Sequence, residues 1–254
     1  MMQARRVAIA TPLLMFAMTL SPIAADAQVP EGNGYLFGVP KGSLSFRFGY
    51  ARPSASSDVF KFTSQHLTLD RGDFAGFTFA GDAGIFLKPR LEVTFGVGIS
   101  SRRAESNYRD FVDNDDLEIE QETIFRRIPL NFGLRYYLAP LGRRVGTYAW
   151  VPSRVVPYVA AGGGGMFYEF RQQGDFVDFQ SLDVFSAEIE SFAWTPAAYG
   201  AVGLQYSVST KAALMTELRY DAVKRARMNA FAFEDFDNID LSGTSVTAGI
   251  HLRF

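Results

Sequence analysis

From residue 43 onward the chain returns repeatedly to one pattern, apolar side chains on alternate positions with small, polar or charged ones between them. In SLSFRFGY, residues 43 to 50, Leu44, Phe46, Phe48 and Tyr50 share one face, while Ser45, Arg47 and Gly49 share the other. Successive side chains of a strand point to opposite faces, so this period predicts strands with one apolar face. The pattern recurs over 77–87, 91–100, 127–138, 156–170, 198–208, 213–222 and 246–254. In 91–100 it sets Leu91, Val93, Phe95, Val97 and Ile99 against Glu92, Thr94, Gly96 and Gly98. The run 156–170 is rich in glycine and its facing stays open until Glu169. With Glu169 turned inward, Met166, Tyr168 and Phe170 turn outward.

The connections alternate in length. Residues 88–90 and 209–211 are tight turns, and 139–155 is a middling link rich in Pro, Gly and Arg. The other four connections, 51–76, 101–126, 171–197 and 223–241, are long. Long connections at one end and short turns at the other predict an all-β fold. It is an eight-stranded antiparallel up-and-down transmembrane β-barrel, with long extracellular loops and short periplasmic turns. A soluble β-sandwich also alternates, but its apolar faces pack inward and its long connections need not gather at one end. Glycine on the charged face of several segments suits a narrow closed interior.

The N-terminus adds the compartment. Arg5 and Arg6 precede an apolar run from Val7 to Leu20, and Ala25-Asp26-Ala27 follows, the layout of a signal peptide cleaved after Ala27. The run falls short of the ~20 residues of a spanning helix, and Pro12 interrupts it. The chain therefore divides into a signal peptide over 1–27, a short periplasmic segment over 28–42 and a barrel over 43–254. Localisation in a bacterial outer membrane follows. An exported chain that is 48% hydrophobic makes sense if its apolar faces meet lipid. With 25 basic and 27 acidic residues it has no polybasic surface for nucleic acid, and without cysteine it has no disulfide framework.

Apolar faces against lipid turn the charges inward. The expected lumen set is Arg47, Asp82, Glu92, Arg127, Arg135, Glu169, Glu217, Arg219, Asp221, His251 and Arg253. Unpaired charge in a narrow interior is costly, so the matched arginines and carboxylates predict a salt-bridged plug. Glu217, Arg219, His251 and Arg253, on neighbouring strands, are candidates for one cluster. Eight strands enclose an interior that side chains fill, and aqueous channels belong to barrels of about 16 or more strands. The alternative is a narrow porin-like channel for small solutes, lined by the same charges.

The signal peptide, the PYVAAGGGGMFY run, RYYLAP at the end of 127–138 and the alternating C-terminus ending in Phe254 resemble the small OmpA/OmpX-type outer-membrane β-barrel family. The resemblance is one of pattern and spans the mature chain. It implies that Val246, Ala248, Ile250, Leu252 and Phe254 form the signal read by the barrel-assembly machinery. It also implies outer-membrane lipid and lipopolysaccharide as surroundings, an extracellular ligand at the loops, no cofactor, and a monomer. Some barrels of this size modify lipid A with a His, a Ser and an acid, a third reading. Here His66 lies in a loop near Ser64 and Asp70, and His251 is expected in the lumen, so no enzyme is predicted.

The long loops mix acids with aromatics, as in YRDFVDNDDLEIEQE (108–122) and MNAFAFEDFDNIDL (228–241). Such loops extend the hairpins above the membrane, with Phe side chains packed between them. The acidic run Asp113-Asn114-Asp115-Asp116 invites calcium, but no glycine stands at the sixth position and the ligand spacing is missing.

Overall fold

The computed structural model describes residues 38–113, 116–145, 149–179, 181, 183–223, 226–228, 236 and 238–254. The expected signal peptide, and all of the expected periplasmic segment before Gly38, lie outside the described residues. So do Asn114, Asp115 and much of the last long loop.

Ten strands run β1 (Gly42–Pro53), β2 (Gly76–Lys88), β3 (Leu91–Val112), β4 (Glu118–Tyr137), β5 (Gly142–Val145), β6 (Ala149–Pro152), β7 (Val155–Val177), β8 (Val184–Ser207), β9 (Ala212–Ala222) and β10 (Gly243–Arg253). Eight of them close a ring in the order β1-β10-β9-β8-β7-β4-β3-β2, and β5 and β6 form a separate hairpin. All pairings in the ring are antiparallel. The ring closes where β1 pairs with β10, from Ser43 opposite Arg253 to Pro53 opposite Gly243. Over the height that all eight strands share, closure leaves no ring edge unpaired, the condition for a β-structure to sit in hydrocarbon.

The ring is not of even height. Strands β1, β2, β9 and β10 have 12, 13, 11 and 11 residues, close to the span of a tilted transmembrane strand. Strands β3, β4, β7 and β8 have 22, 20, 23 and 24. These four are neighbours, so one side of the barrel rises above the membrane by about ten residues per strand. The sequence pattern places 101–126 and 171–197 in loops; most of both is strand. The low side carries the other two long connections. The first folds into α1 (Asp58–His66) and a 3-10 turn (Arg71–Phe74). Neither helix is apparent from the sequence pattern.

The apolar pattern inverts along the tall strands. Near the short turns, apolar residues face out: Phe95, Phe132 and Leu204 are 56%, 61% and 49% exposed. Above the membrane the inward face becomes apolar and the outward face charged. Phe60 and Leu67 from the first connection, and Ile239 and Leu241 from the last, pack there against Phe125, Met166, Tyr168 and Phe170 inside the wall. Phe60 sits edge-on to Phe74, Phe125 and Phe170, with ring centroids 4.8, 5.4 and 5.8 Å away. The described residues thus form an apolar core at the extracellular end of the ring. Met166, Tyr168 and Phe170, expected on the lipid face, belong to it.

The opposite end has a smaller core. Tyr137, Leu141, Trp150, Val156, Tyr158 and Met215 are buried together, with Phe86 packed against them. Leu141 and Trp150 come from the link 139–155, which is not a plain turn but carries the β5–β6 hairpin.

Candidate functional site

Between the two apolar cores lies the charged interior. Inward positions on β1, β2, β3, β4 and β9 bring five side chains into one chain of alternating sign. Glu217 pairs with Arg47, whose Nη2 lies 2.7 Å from Asp82 Oδ2. Arg135 Nη2 reaches the same Asp82 oxygen at 3.3 Å, and its Nη1 lies 3.0 Å from Glu92 Oε2. Hydroxyl donors complete the carboxylates. Tyr137 donates to Glu92 at 2.7 Å, Ser43 also donates to Glu92, and Tyr158 donates to Glu217 at 2.9 Å. Arg135 also lies over the Tyr158 ring, 5.1 Å from its centroid. Every side chain of this chain of pairs is at most 10% exposed. Charges so far from water persist only when paired and hydrogen-bonded, which these are.

Glycines make the room. A Cβ at Gly84 would overlap the Glu92 carboxylate, and one at Gly203 would overlap the Tyr158 ring. Large polar side chains and missing ones alternate across the interior, which lets bulky side chains fit inside a narrow ring. A cavity beside Arg47, Asp82, Asn131 and Glu217 has a volume of about 40 Å³.

The other expected lumen residues have separate partners. Arg253 donates to Gln205 Oε1 at 2.8 Å and to Ser207 Oγ at 3.0 Å. His251 Nδ1 lies 2.9 Å from Ser45 Oγ. Arg219 holds Asp221 with two N–H groups, at 2.9 and 2.7 Å, and stacks 3.9 Å from the Tyr199 centroid. Arg127 donates to the Leu241 carbonyl at 3.0 Å, beneath the extracellular core. The single cluster of Glu217, Arg219, His251 and Arg253 therefore does not form. Glu217 turns instead to Arg47 across the interior.

Glu169 is a second correction. It sits opposite Arg126 on the outer face of the tall wall, not in the lumen. Arg126 Nη1 lies 2.7 Å from its Oε2 and Arg171 Nη2 lies 3.0 Å from its Oε1. Arg171 also reaches Glu188 and Glu190, at 3.3 and 3.4 Å. This outward charged belt begins just beyond the aromatic pair Phe167 and Trp194, whose centroids are 5.6 Å apart. An aromatic girdle followed by charge marks the membrane boundary. The inward charges are then five arginines against Asp82, Glu92, Glu217 and Asp221.

Asp240 has no counterpart in the sequence reading. It is 7% exposed within the extracellular core and accepts from Ser56, from Ser242 Oγ and from the Ser242 N–H at 3.0 Å. It lies in an irregular segment, where no period announces a buried acid. Above the membrane, burial pushes the Tyr108 phenol above its ordinary pKa. His66 faces the rings of Phe62 and Phe179, 4.4 and 5.0 Å away, rather than Ser64 or Asp70. On β10, Val246, Ile250 and Leu252 are 61%, 50% and 38% exposed, Ala248 shares their outward face, and Phe254, just past the strand, is 69% exposed.

A closed antiparallel ring with an apolar outer belt and a polar interior defines an integral β-barrel protein of the outer membrane. No family model matches the chain, and no curated protein matches it. Among solved structures, it is similar to a major outer membrane protein from Thermus thermophilus, at 13% identity over 85% of this chain and 100% of that one, TM-score 0.49. It is also similar to the outer membrane protein OprG from Pseudomonas aeruginosa, at 14% identity over 85% and 98%, TM-score 0.48. Neisserial surface protein A is similar at 14% identity over 84% and 97%, TM-score 0.43.

Proposed function

We propose that this barrel is sealed to solutes and acts without catalysis, as a structural and surface-interacting protein of the outer membrane. The observation that carries this reading is the filled interior: two apolar cores at the mouths and a paired charge layer between them. The tall wall and the packed parts of the connections form its extracellular face, which is where an external ligand would bind. Lipid and lipopolysaccharide would surround its belt, and Val246, Ala248, Ile250, Leu252 and Phe254 would be its assembly signal. Their outward row along β10 and the residue that follows it supports that role. In planar bilayers the folded protein is expected to give no steady conductance. A steady open current would replace this reading with the narrow channel.

A further inference from the structure

The rim at the short-turn end carries a feature that sealing does not use. A groove of about 1620 Å³ runs there between residues 38–42, the β2–β3 turn and the β5–β6 hairpin. Its deep wall is the lipid-facing surface of the barrel, with Ile85, Leu87, Phe95 and Phe132 66%, 60%, 56% and 61% exposed. Its rim carries Lys41, Lys88, Arg90 and Arg144, and its lining includes no acidic side chain. All four cations are exposed. No Asp or Glu occurs in 38–42, 87–91, 138–157 or 207–213, whereas the long connections at the other end are rich in both.

We infer that this groove is a binding site for an anionic glycerophospholipid of the leaflet that meets the short turns. An acyl chain would lie along Ile85, Leu87, Phe95 and Phe132, continuing the belt, and the phosphate would meet the basic rim. The charge complementarity is specific to this end: four cationic side chains stand against the single backbone carboxylate of Phe254 and attract anionic headgroups, each cation adding to the affinity near the surface. The Phe254 carboxylate is held by the Lys41 and Gly42 backbone N–H groups, at 2.7 and 2.9 Å, and not by the side chains of the four rim cations. The hairpin turns a flat belt into a groove, which favours a retained lipid over a passing one.

The inference rests on the membrane-barrel reading, and its test separates the two. The full chain is reconstituted in nanodiscs of phosphatidylcholine with a minor share of phosphatidylglycerol, and the lipid retained after mild detergent extraction is quantified. Phosphatidylglycerol is expected to be retained several-fold above its share. The Lys88→Gln/Arg90→Gln/Arg144→Gln variant should lower that retention by about tenfold or more. Arg154→Gln/Lys211→Gln, elsewhere on the same rim, should leave it unchanged. Arg144→Gln alone, on a hairpin outside the ring, keeps the test open if the triple variant fails to fold. Equal losses in both multiple variants, no preference for phosphatidylglycerol, or its displacement by lipopolysaccharide would overturn the site. Faster migration of unheated samples on gels reports folding of the barrel independently.

Discussion

Replacing Arg47 by alanine removes the link between the two halves of the interior charge chain. The guanidinium is 2% exposed and pairs with Asp82 and Glu217, themselves 10% and 4% exposed. Afterwards Asp82 keeps Arg135 at 3.3 Å, but Glu217 keeps only the Tyr158 hydroxyl. Breaking a buried pair from one side costs about 3–5 kcal/mol, because the remaining charge is stranded away from water. A pair in contact with water is worth about 0–1 kcal/mol. Urea unfolding of protein folded into lipid vesicles, followed by gel mobility, distinguishes these values. Adding Glu217→Gln removes the stranded charge while keeping a partner for Tyr158, so the double variant should recover more than about 1 kcal/mol, as coupled neighbours do. If Arg47→Ala costs less than about 1 kcal/mol, the interior is hydrated and the sealed lumen is wrong.

Phe48 lies on the outer face of β1 near the middle of the belt and is 62% exposed. Phe48→Arg should cost about 2–4 kcal/mol in vesicle unfolding, the charge of a lipid-facing position at the midplane, whereas a solvent-exposed site would tolerate it. Phe60→Ala removes the centre of the extracellular core, a loss of about 3–5 kcal/mol to packing there. Limited proteolysis should then cut within 54–75 while the ring keeps its heat-modifiable mobility, because the strand hydrogen bonds do not depend on Phe60.

Much of the ring was legible because hydrocarbon on one side and a narrow polar interior on the other impose a strict period of two. That period placed Arg47, Asp82, Glu92 and Arg135 on inward positions, though not their partners, since pairing across a ring depends on strand tilt and register. The reading failed where the solvent changed. Above the membrane the outer face meets water and the inner face meets folded connections, so charge inside and apolar outside no longer holds. The rule of the lower half turns Glu169 inward, but Glu169 lies in the upper half, where charge faces out. Tyr168 and Phe170, beside it, face inward for the same reason. The strand ends were missed because acids and aromatics mix in 101–126 and 171–197 once both faces change character. Asp240 and α1 lie in segments without a period, where only tertiary packing decides burial.

The contact of the outer face with lipid is tested most directly by tryptophan quenching. The chain has 2 tryptophans; Trp150 is 3% exposed in the hairpin core and Trp194 is 57% exposed at the upper edge of the belt. A Trp150→Phe variant leaves Trp194 as the single reporter. In vesicles, its fluorescence should be quenched by lipids brominated near the headgroup and shielded from aqueous iodide. Quenching by iodide without quenching by brominated lipid would show that the apolar face does not meet the membrane, and the transmembrane barrel would be refuted.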